Sequence, residues 1–412
     1  MSILDDYAQI TGNEVIDHLR QLAEPLRGMK LVHVNSTRRG GGVAEILDKF
    51  VPLTQALGID TNWEIITGEQ GFYHCTKSMH NALQGNQIGI SESALNIYIE
   101  TNRVNAERLR PRLEEADFVI IHDPQPAPLL QLCPNRRGKW VWRCHIDASH
   151  PYRPVWRFLR RYVSGYDASI FSLAAFAQAL PNPEYIIPPS IDPLSEKNQD
   201  LDDALLTSTC EQFGIDRERP IIAQVSRYDR FKDPVGVIRA YQMAKRFVPA
   251  LQLVLAGGGA TDDPEGTLVL EEVRAVAGDD RDIHILLLPS DAHLTINALQ
   301  RAADIVVQKS TREGFGLTVT EGLWKGKPVI GGDTGGIRLQ VVDHHTGFLV
   351  NTPEGAALRI RYLLHQPDKI AAMGAKAKEF VRDNFLITRQ LREYLTLMVS
   401  LLHGAGDRIE LT

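Results

Sequence analysis

The sequence predicts an α/β protein made of two doubly wound, Rossmann-like domains facing each other across a cleft. Three observations carry this reading. Apolar, β-rich runs alternate with amphipathic helical patterns from end to end, the order of a parallel sheet covered on both faces. A chain of 412 residues exceeds what one ordinary core organises. The alternation breaks once, at "PNPEYIIPPSIDPLSEKNQDLDD" from residue 181, a stretch rich in Pro, Asp and Ser that reads as an interdomain connection. The boundaries that follow are 1–190 and 191–387, with a closing helix at 388–412 that can pack back on the first domain.

Each element has its own signal. "MKLVHVNS" (29–36) is an apolar strand, and "VAEILDKFVPLTQALG" after it carries apolar residues at helical spacing. "DFVIIHD" (117–123), "KWVWRCHID" (139–147) and "ASIFSL" (168–173) repeat the strand signal and end in polar or turn residues. Beyond the connection the strands resume as "PIIAQVS" (220–226), "LQLVLAGGG" (251–259), "IHILLLP" (283–289), "ADIVVQ" (303–308) and "KPVIGG" (327–332). "DKIAAMGAKAKEFVRDNF" and "TRQLREYLTLMVSLLHG" close the chain as amphipathic helices.

Composition removes several function classes. A formal charge of −6 with no basic tail or lysine stripe gives nucleic-acid binding little support. No run approaches a membrane span, and the acidic N-terminus lacks the apolar core of a signal peptide, so the expected location is the cytoplasm. Cys75, Cys133, Cys144 and Cys210 lie far apart without a CxxC pair and read as buried free thiols rather than metal ligands or disulfides.

In doubly wound sheets ligands collect at the carboxyl ends of strands, so the chemistry is sought there. "RRGGGVAEIL" (38–47) joins strand to helix through Gly40, Gly41 and Gly42, which let backbone approach a phosphate at a helix N-terminus. It is not a dinucleotide fingerprint, because the third glycine position falls on Glu45, nor a P-loop. A second cluster, "AGGGATDDPEG" (256–266), reads as a turn. In "VSRYDRFKDP" (225–234), Arg227 and Lys232 follow a strand closely enough for a short turn to bring both onto one anion; two solvated charges is the plainer alternative.

The richest stretch is "KSTREGFGLTVTEGLWKG" (309–326). Gly314, Phe315 and Gly316 form a loop, and the amides of Leu317 and Thr318 stand at a helix N-terminus, groups that bind anions without net charge. Glu313 on the loop can reach a ligand. Glu321, read as about two turns into the helix, can accept from a vicinal diol such as a ribose; helix-dipole stabilisation is its plainer role. His145 ends a strand in "CHID". Asp123, Gln125 and Asp147, with His122, end strands where side chains can bind sugar hydroxyls or cap helices.

Glu313 to Glu321 matches the E-x7-E motif of retaining, two-domain glycosyltransferases (GT-B fold, family GT4), and Arg227 and Lys232 match that family's diphosphate-binding pair. "VNSTRRGGGVAEIL", "HNALQGN", "HDPQPAPL", "WRCHIDAS" and "REGFGLTVTEGLWKGKPVIGG" resemble more narrowly the trehalose synthases of the glycosyl-transferring type. Arg38 and Arg39 depart from the smaller or apolar residues expected before the glycines, and Gly322 stands where alanine is usual.

The resemblance implies transfer of glucose from a nucleoside-diphosphate glucose to free glucose, with retention, giving α,α-trehalose. Arg227, Lys232 and the amides near Gly41–Gly42 and Gly316–Thr318 would stabilise the leaving phosphate. Glu313 and His145 would hold the transferred glucose and Glu321 the ribose, while Asp123, Gln125 and Asp147 serve the acceptor. No cofactor or metal is implied, and Asp280 and Asp282 read as a turn rather than a metal motif. Rival readings are a retaining trehalose phosphorylase, a same-family transferase with another acceptor, a nicotinamide-dependent oxidoreductase and a non-catalytic binder. The base (ADP, UDP or GDP), the physiological direction and the oligomeric state, a homodimer included, stay open in the sequence.

Overall fold

The computed structural model describes residues 2–38, 42–258 and 264–404. The chain divides into two compact units, Met1–Pro189 with Ile387–Thr412, and Ser190–Leu386. Each is a six-stranded, wholly parallel sheet with helices packed on it.

The first sheet comprises β1 (Lys30–Asn35), β2 (Asp60–Ile65), β3 (Phe118–His122), β4 (Lys139–Cys144), β5 (Ala168–Phe171) and β6 (Glu184–Ile186), in the order β2-β1-β3-β4-β5-β6. β2 was not legible as a strand because "DTNWEI" is polar at four of its six positions and sits at the sheet edge. β6 corrects the reading of the Pro-rich stretch as all linker: its three residues pair with β5, at an edge where flanking prolines cost no ladder bonds. The central strands are buried along their length and use both faces. Trp140, Trp142 and Val119 join one core with Phe72, Tyr98 and Trp156. Val141, Ile120 and Leu31 join another with Phe50, Leu19 and Leu395. The last helix, Ile387–His403, supplies Leu391, Tyr394 and Met398 to that second core.

The second sheet comprises β7 (Ile221–Val225), β8 (Gln252–Gly257), β9 (Ile283–Leu287), β10 (Ile305–Gln308), β11 (Val329–Gly332) and β12 (Gly347–Val350), in the order β12-β11-β10-β7-β8-β9. From β7 the chain steps outward through β8 and β9, then returns to lay β10 on the other side. The first sheet makes the same reversal between β1 and β3. Such reversals leave a crevice at the carboxyl ends of the two strands that flank them.

All four cysteines are buried and free. Among the described residues, no helix is long and apolar enough to cross a membrane, and no three His, Cys, Asp or Glu side chains converge to hold a metal ion. Asp280 and Asp282 lie before β9 and are tied up by Lys245, with Arg219 on Asp282.

Candidate active site

In the second unit the sequence-predicted residues gather at the β7/β10 reversal. Past β7, Tyr228 turns inward and donates to the carbonyls of Leu255 (3.0 Å) and Leu286 (3.2 Å), which leaves Arg227 outside, its side chain 65% exposed. Asp229 then caps a single 3₁₀ turn, Arg230–Lys232, accepting from the Phe231 amide at 2.7 Å. Gln224 in β7 donates to the Lys232 carbonyl at 2.8 Å and fixes the end of that turn.

Lys232 meets Glu313 with Nζ 2.6 Å from Oε2, and the Ser310 hydroxyl donates to the same oxygen at 3.1 Å. Arg227 instead contacts Asp229 at 3.3 Å. Each of the two cations expected on one anion thus has a carboxylate partner of its own. The next residue, Asp233, has φ +50°, caps the helix Pro234–Lys245 and pairs with buried Lys309. Sequence reasoning passed over Gln224, Lys309 and Ser310; the only signal for them was a polar residue ending or following a buried strand.

The Glu313 loop is clamped from beneath. Gly316 has φ +84°, and a Cβ there would lie 3.1 Å from Glu313 Cγ; at Gly335, φ +47°, it would lie 1.7 Å from the Glu313 carbonyl oxygen. Gly336 donates to the Gly314 carbonyl at 2.9 Å, and buried Gln340 donates to the Phe315 carbonyl. The Phe315 ring packs inward on Phe385, so only its backbone is left for a ligand. Gly314 itself faces open space.

The left-handed Gly316 starts the helix at Leu317, which corrects the place of Glu321: it lies just over one turn into Leu317–Trp324, not two. No side chain among the described residues caps that helix; the Val319 amide donates to the Gly316 carbonyl at 2.9 Å, and the amides of Leu317 and Thr318 are left open to an acceptor. Glu321 is 5% exposed, and its carboxylate takes no hydrogen bond from any described residue. Its backbone carbonyl accepts from Lys325 at 3.3 Å, whose ammonium burial pushes down to about 7. Gly322 packs on Val306 of β10, where a Cβ would meet side-chain atoms at 3.1–3.2 Å, so its departure from alanine is a matter of close packing.

In the first unit, the expected residues cluster where β3 and β4 end. Asp123 has φ +64°; its amide donates to the Arg143 carbonyl and its Oδ1 accepts from the His145 amide, both at 2.8 Å. It caps no helix. Burial pushes its carboxyl up to about 6, against the pull of the His145 amide and Arg143. Asp147 likewise caps no helix and accepts from the Ser149 amide at 3.0 Å. Gln125 is half-buried, its carbonyl taking a hydrogen bond from Asn102.

His145 Nε2 lies 3.0 Å from Nδ1 of His122, and His122 Nε2 lies 3.0 Å from Nδ1 of His33, a residue missed in the sequence. After β1, Arg38 stacks on Trp63 at 4.3 Å. Gly42 begins the helix Gly42–Ala56 and is exposed. Arg39, Gly40 and Gly41 lie outside the described residues, as does part of the 256–266 cluster.

Residues 33–178 match the family model "Trehalose synthase, N-terminal domain", and residues 208–380 match "Glycosyl transferases group 1". The trehalose synthase of Thermococcus litoralis is 47% identical over 401 residues, covering 96% of this chain and 97% of that one. The chain belongs to the trehalose synthase family. It is therefore an enzyme, a glycosyltransferase of the trehalose synthase type. Trehalose synthase of Rubrobacter xylanophilus is 43% identical over 406 residues, with 97% of each chain covered. Trehalose phosphorylase of Pleurotus pulmonarius is 28% identical, over 86% of this chain and 55% of that protein. Among solved structures, "Trehalose-6-phosphate from E. coli bound with UDP-2-fluoro glucose" superposes with a TM-score of 0.73 at 14% identity, covering 90% of this chain and 98% of that one. At that identity the likeness concerns the fold: two Rossmann-like domains of the GT-B type.

Proposed function

We propose that this trehalose synthase family member moves glucose from a nucleoside-diphosphate glucose to free glucose, with retention, forming α,α-trehalose. The observation that carries the proposal is Glu321. Glu321 is 5% exposed, takes no carboxylate hydrogen bond from the described residues and stands beside uncapped helix amides. Its oxygens are not among the buried atoms without a partner and are therefore within reach of a donor from outside. A ribose diol supplies two hydroxyl donors to the carboxylate, and a diphosphate suits the amides.

In this reading Arg227, Lys232 and the first-turn amides at Leu317 and Thr318 stabilise the charge that grows on the leaving phosphate. Glu313 accepts from a hydroxyl of the transferred glucose. Lys232 is paired with Glu313 here, so on donor binding the ammonium's remaining N–H groups donate to phosphate oxygens while a sugar hydroxyl donates to Glu313. His145 contacts the donor sugar, and Asp123, Gln125 and Asp147 serve the acceptor. The front-face route, in which the leaving phosphate oxygen takes the acceptor's proton, needs only positioning and preorganised charge. It asks for no metal.

The test is incubation with ADP-, UDP- and GDP-glucose, with and without glucose and with EDTA, reading released nucleoside diphosphate. Glucose-dependent release that survives EDTA supports the proposal. Turnover only with glucose 1-phosphate in place of the nucleotide moves the assignment to a phosphorylase.

A further inference from the structure

The three histidines are placed by strand register. In the parallel ladders His33 pairs with Ile120 and His122 with Arg143. His122 is thus two residues further along than His33's partner, and His145 two further along than His122's. A step of two keeps each ring on the same face of the sheet. The result is a diagonal stack climbing to the carboxyl end of β4, with centroids 5.3 Å apart at each step and interplanar angles of 29° and 18°. Each ring hands one hydrogen bond to the next instead of converging on a point.

We infer that His33 and His122 are positioning residues that fix the tautomer of His145, so that His145 presents an N–H at Nδ1, its ring nitrogen outside the stack. The warrant is hydrogen-bond accounting. A neutral imidazole has one donor and one acceptor, so the three rings must all point the same way. Burial depresses all three pKa values, that of His33 to about 3, and the Arg143 guanidinium adds to the effect on His122 and His145. Each ring is therefore neutral near pH 7.

The inner end chooses the direction. His33 Nε2 is buried and takes no hydrogen-bond partner among the described residues: Phe50 packs edge-on at 5.7 Å, and Gln390 and Tyr394 line the same small cavity without bonding to it. Pointing the wire inward would put a proton on that nitrogen and orphan a buried N–H, the rarer and costlier vacancy. Pointing it outward puts the protons on Nδ1 of His33, Nδ1 of His122 and Nδ1 of His145. The outer nitrogen then donates to an oxygen of its ligand, a sugar hydroxyl if His145 contacts the donor sugar. That last clause rests on the proposed function; the tautomer itself does not.

The test is ¹⁵N NMR of the histidine-labelled full chain, reading which nitrogen of His145 carries the proton. His33→Asn keeps a donor in the place of Nδ1, whereas His33→Asp offers only an acceptor and reverses the wire. The inference predicts Nδ1–H at His145 in the parent and in His33→Asn, and Nε2–H in His33→Asp. It also predicts that kcat/KM for the donor falls on the order of tenfold to a hundredfold in His33→Asp and recovers in His33→Asn. An identical His145 tautomer in the two folded variants overturns it. If His33→Asp does not fold, His33→Leu decides: Nε2 of His122 then becomes the buried inner end and stays bare by the same accounting, so Nδ1–H at His145 supports the wire and Nε2–H at His145 refutes it. His145→Ala separates the two claims, because full activity there would remove the sugar contact while leaving the tautomer result standing.

Discussion

Removing Lys232 should destabilise the second unit through Glu313 rather than through the lysine's own contacts. The two side chains are 2.6 Å apart and only 20% and 7% exposed. Lys232→Met leaves the carboxylate with the Ser310 hydroxyl as its remaining partner. An orphaned buried charge costs about 3–5 kcal/mol. The serine and the partial exposure of the lysine bring this to about 2 kcal/mol, or roughly 4–8 °C for a unit of this size. Glu313→Gln removes the charge and costs about 1 kcal/mol, since the freed ammonium can reach water. The double variant should recover about 1–2 kcal/mol of the sum, because neither orphan remains. Calorimetric and urea unfolding of the four proteins measure this coupling. Additivity within about 0.5 kcal/mol would show that the pair carries no mutual stabilisation and would refute the reasoning.

The glycines of the clamp should separate sharply. Gly314→Ala, facing open space, should leave melting nearly unchanged; Gly335→Ala, with φ +47° and a Cβ 1.7 Å from the Glu313 carbonyl, should cost more than about 3 kcal/mol or prevent folding. Equal melting of the two would remove the clamp from the account. Asp123 makes a pH prediction. Its folded pKa of about 6 lies above the unfolded value of 3.8, so its stabilising contribution is full below pH 3.8 and is lost as pH rises through 6. Relative to Asp123→Asn, the parent should lose on the order of 3 kcal/mol across that window in unfolding titrations; parallel curves would contradict it.

The fold class was legible because both sheets are built from strands with two buried faces, and such strands are unbroken apolar runs in the sequence. "FVIIH" and "IIAQV" are buried at every position. Edge strands β2 and β6 escaped because one side needs no apolar cover, so their composition approaches that of loops; β12, "GFLV", is apolar but only four residues long. Of the candidate site, the residues with a spacing were visible: Arg227 with Lys232, and Glu313 with Glu321. What a linear pattern could not carry was who holds whom. Lys232 finds Glu313 across 81 residues, and His33 finds His122 across 89, contacts made only when reversals of strand order bring β7 to β10 and β1 to β3. The start of the helix below Glu321 turned on the sign of φ at Gly316, which composition permits but does not dictate.

The most direct test of the central claim follows the acceptor. The chain is incubated in phosphate-free buffer with a nucleoside-diphosphate glucose and uniformly ¹³C-labelled glucose, and the products are read by NMR. The account predicts trehalose with one labelled and one unlabelled ring, both anomeric carbons α, formed in step with nucleoside diphosphate. A labelled disaccharide that appears only when phosphate or glucose 1-phosphate is added, or any β linkage, would contradict it.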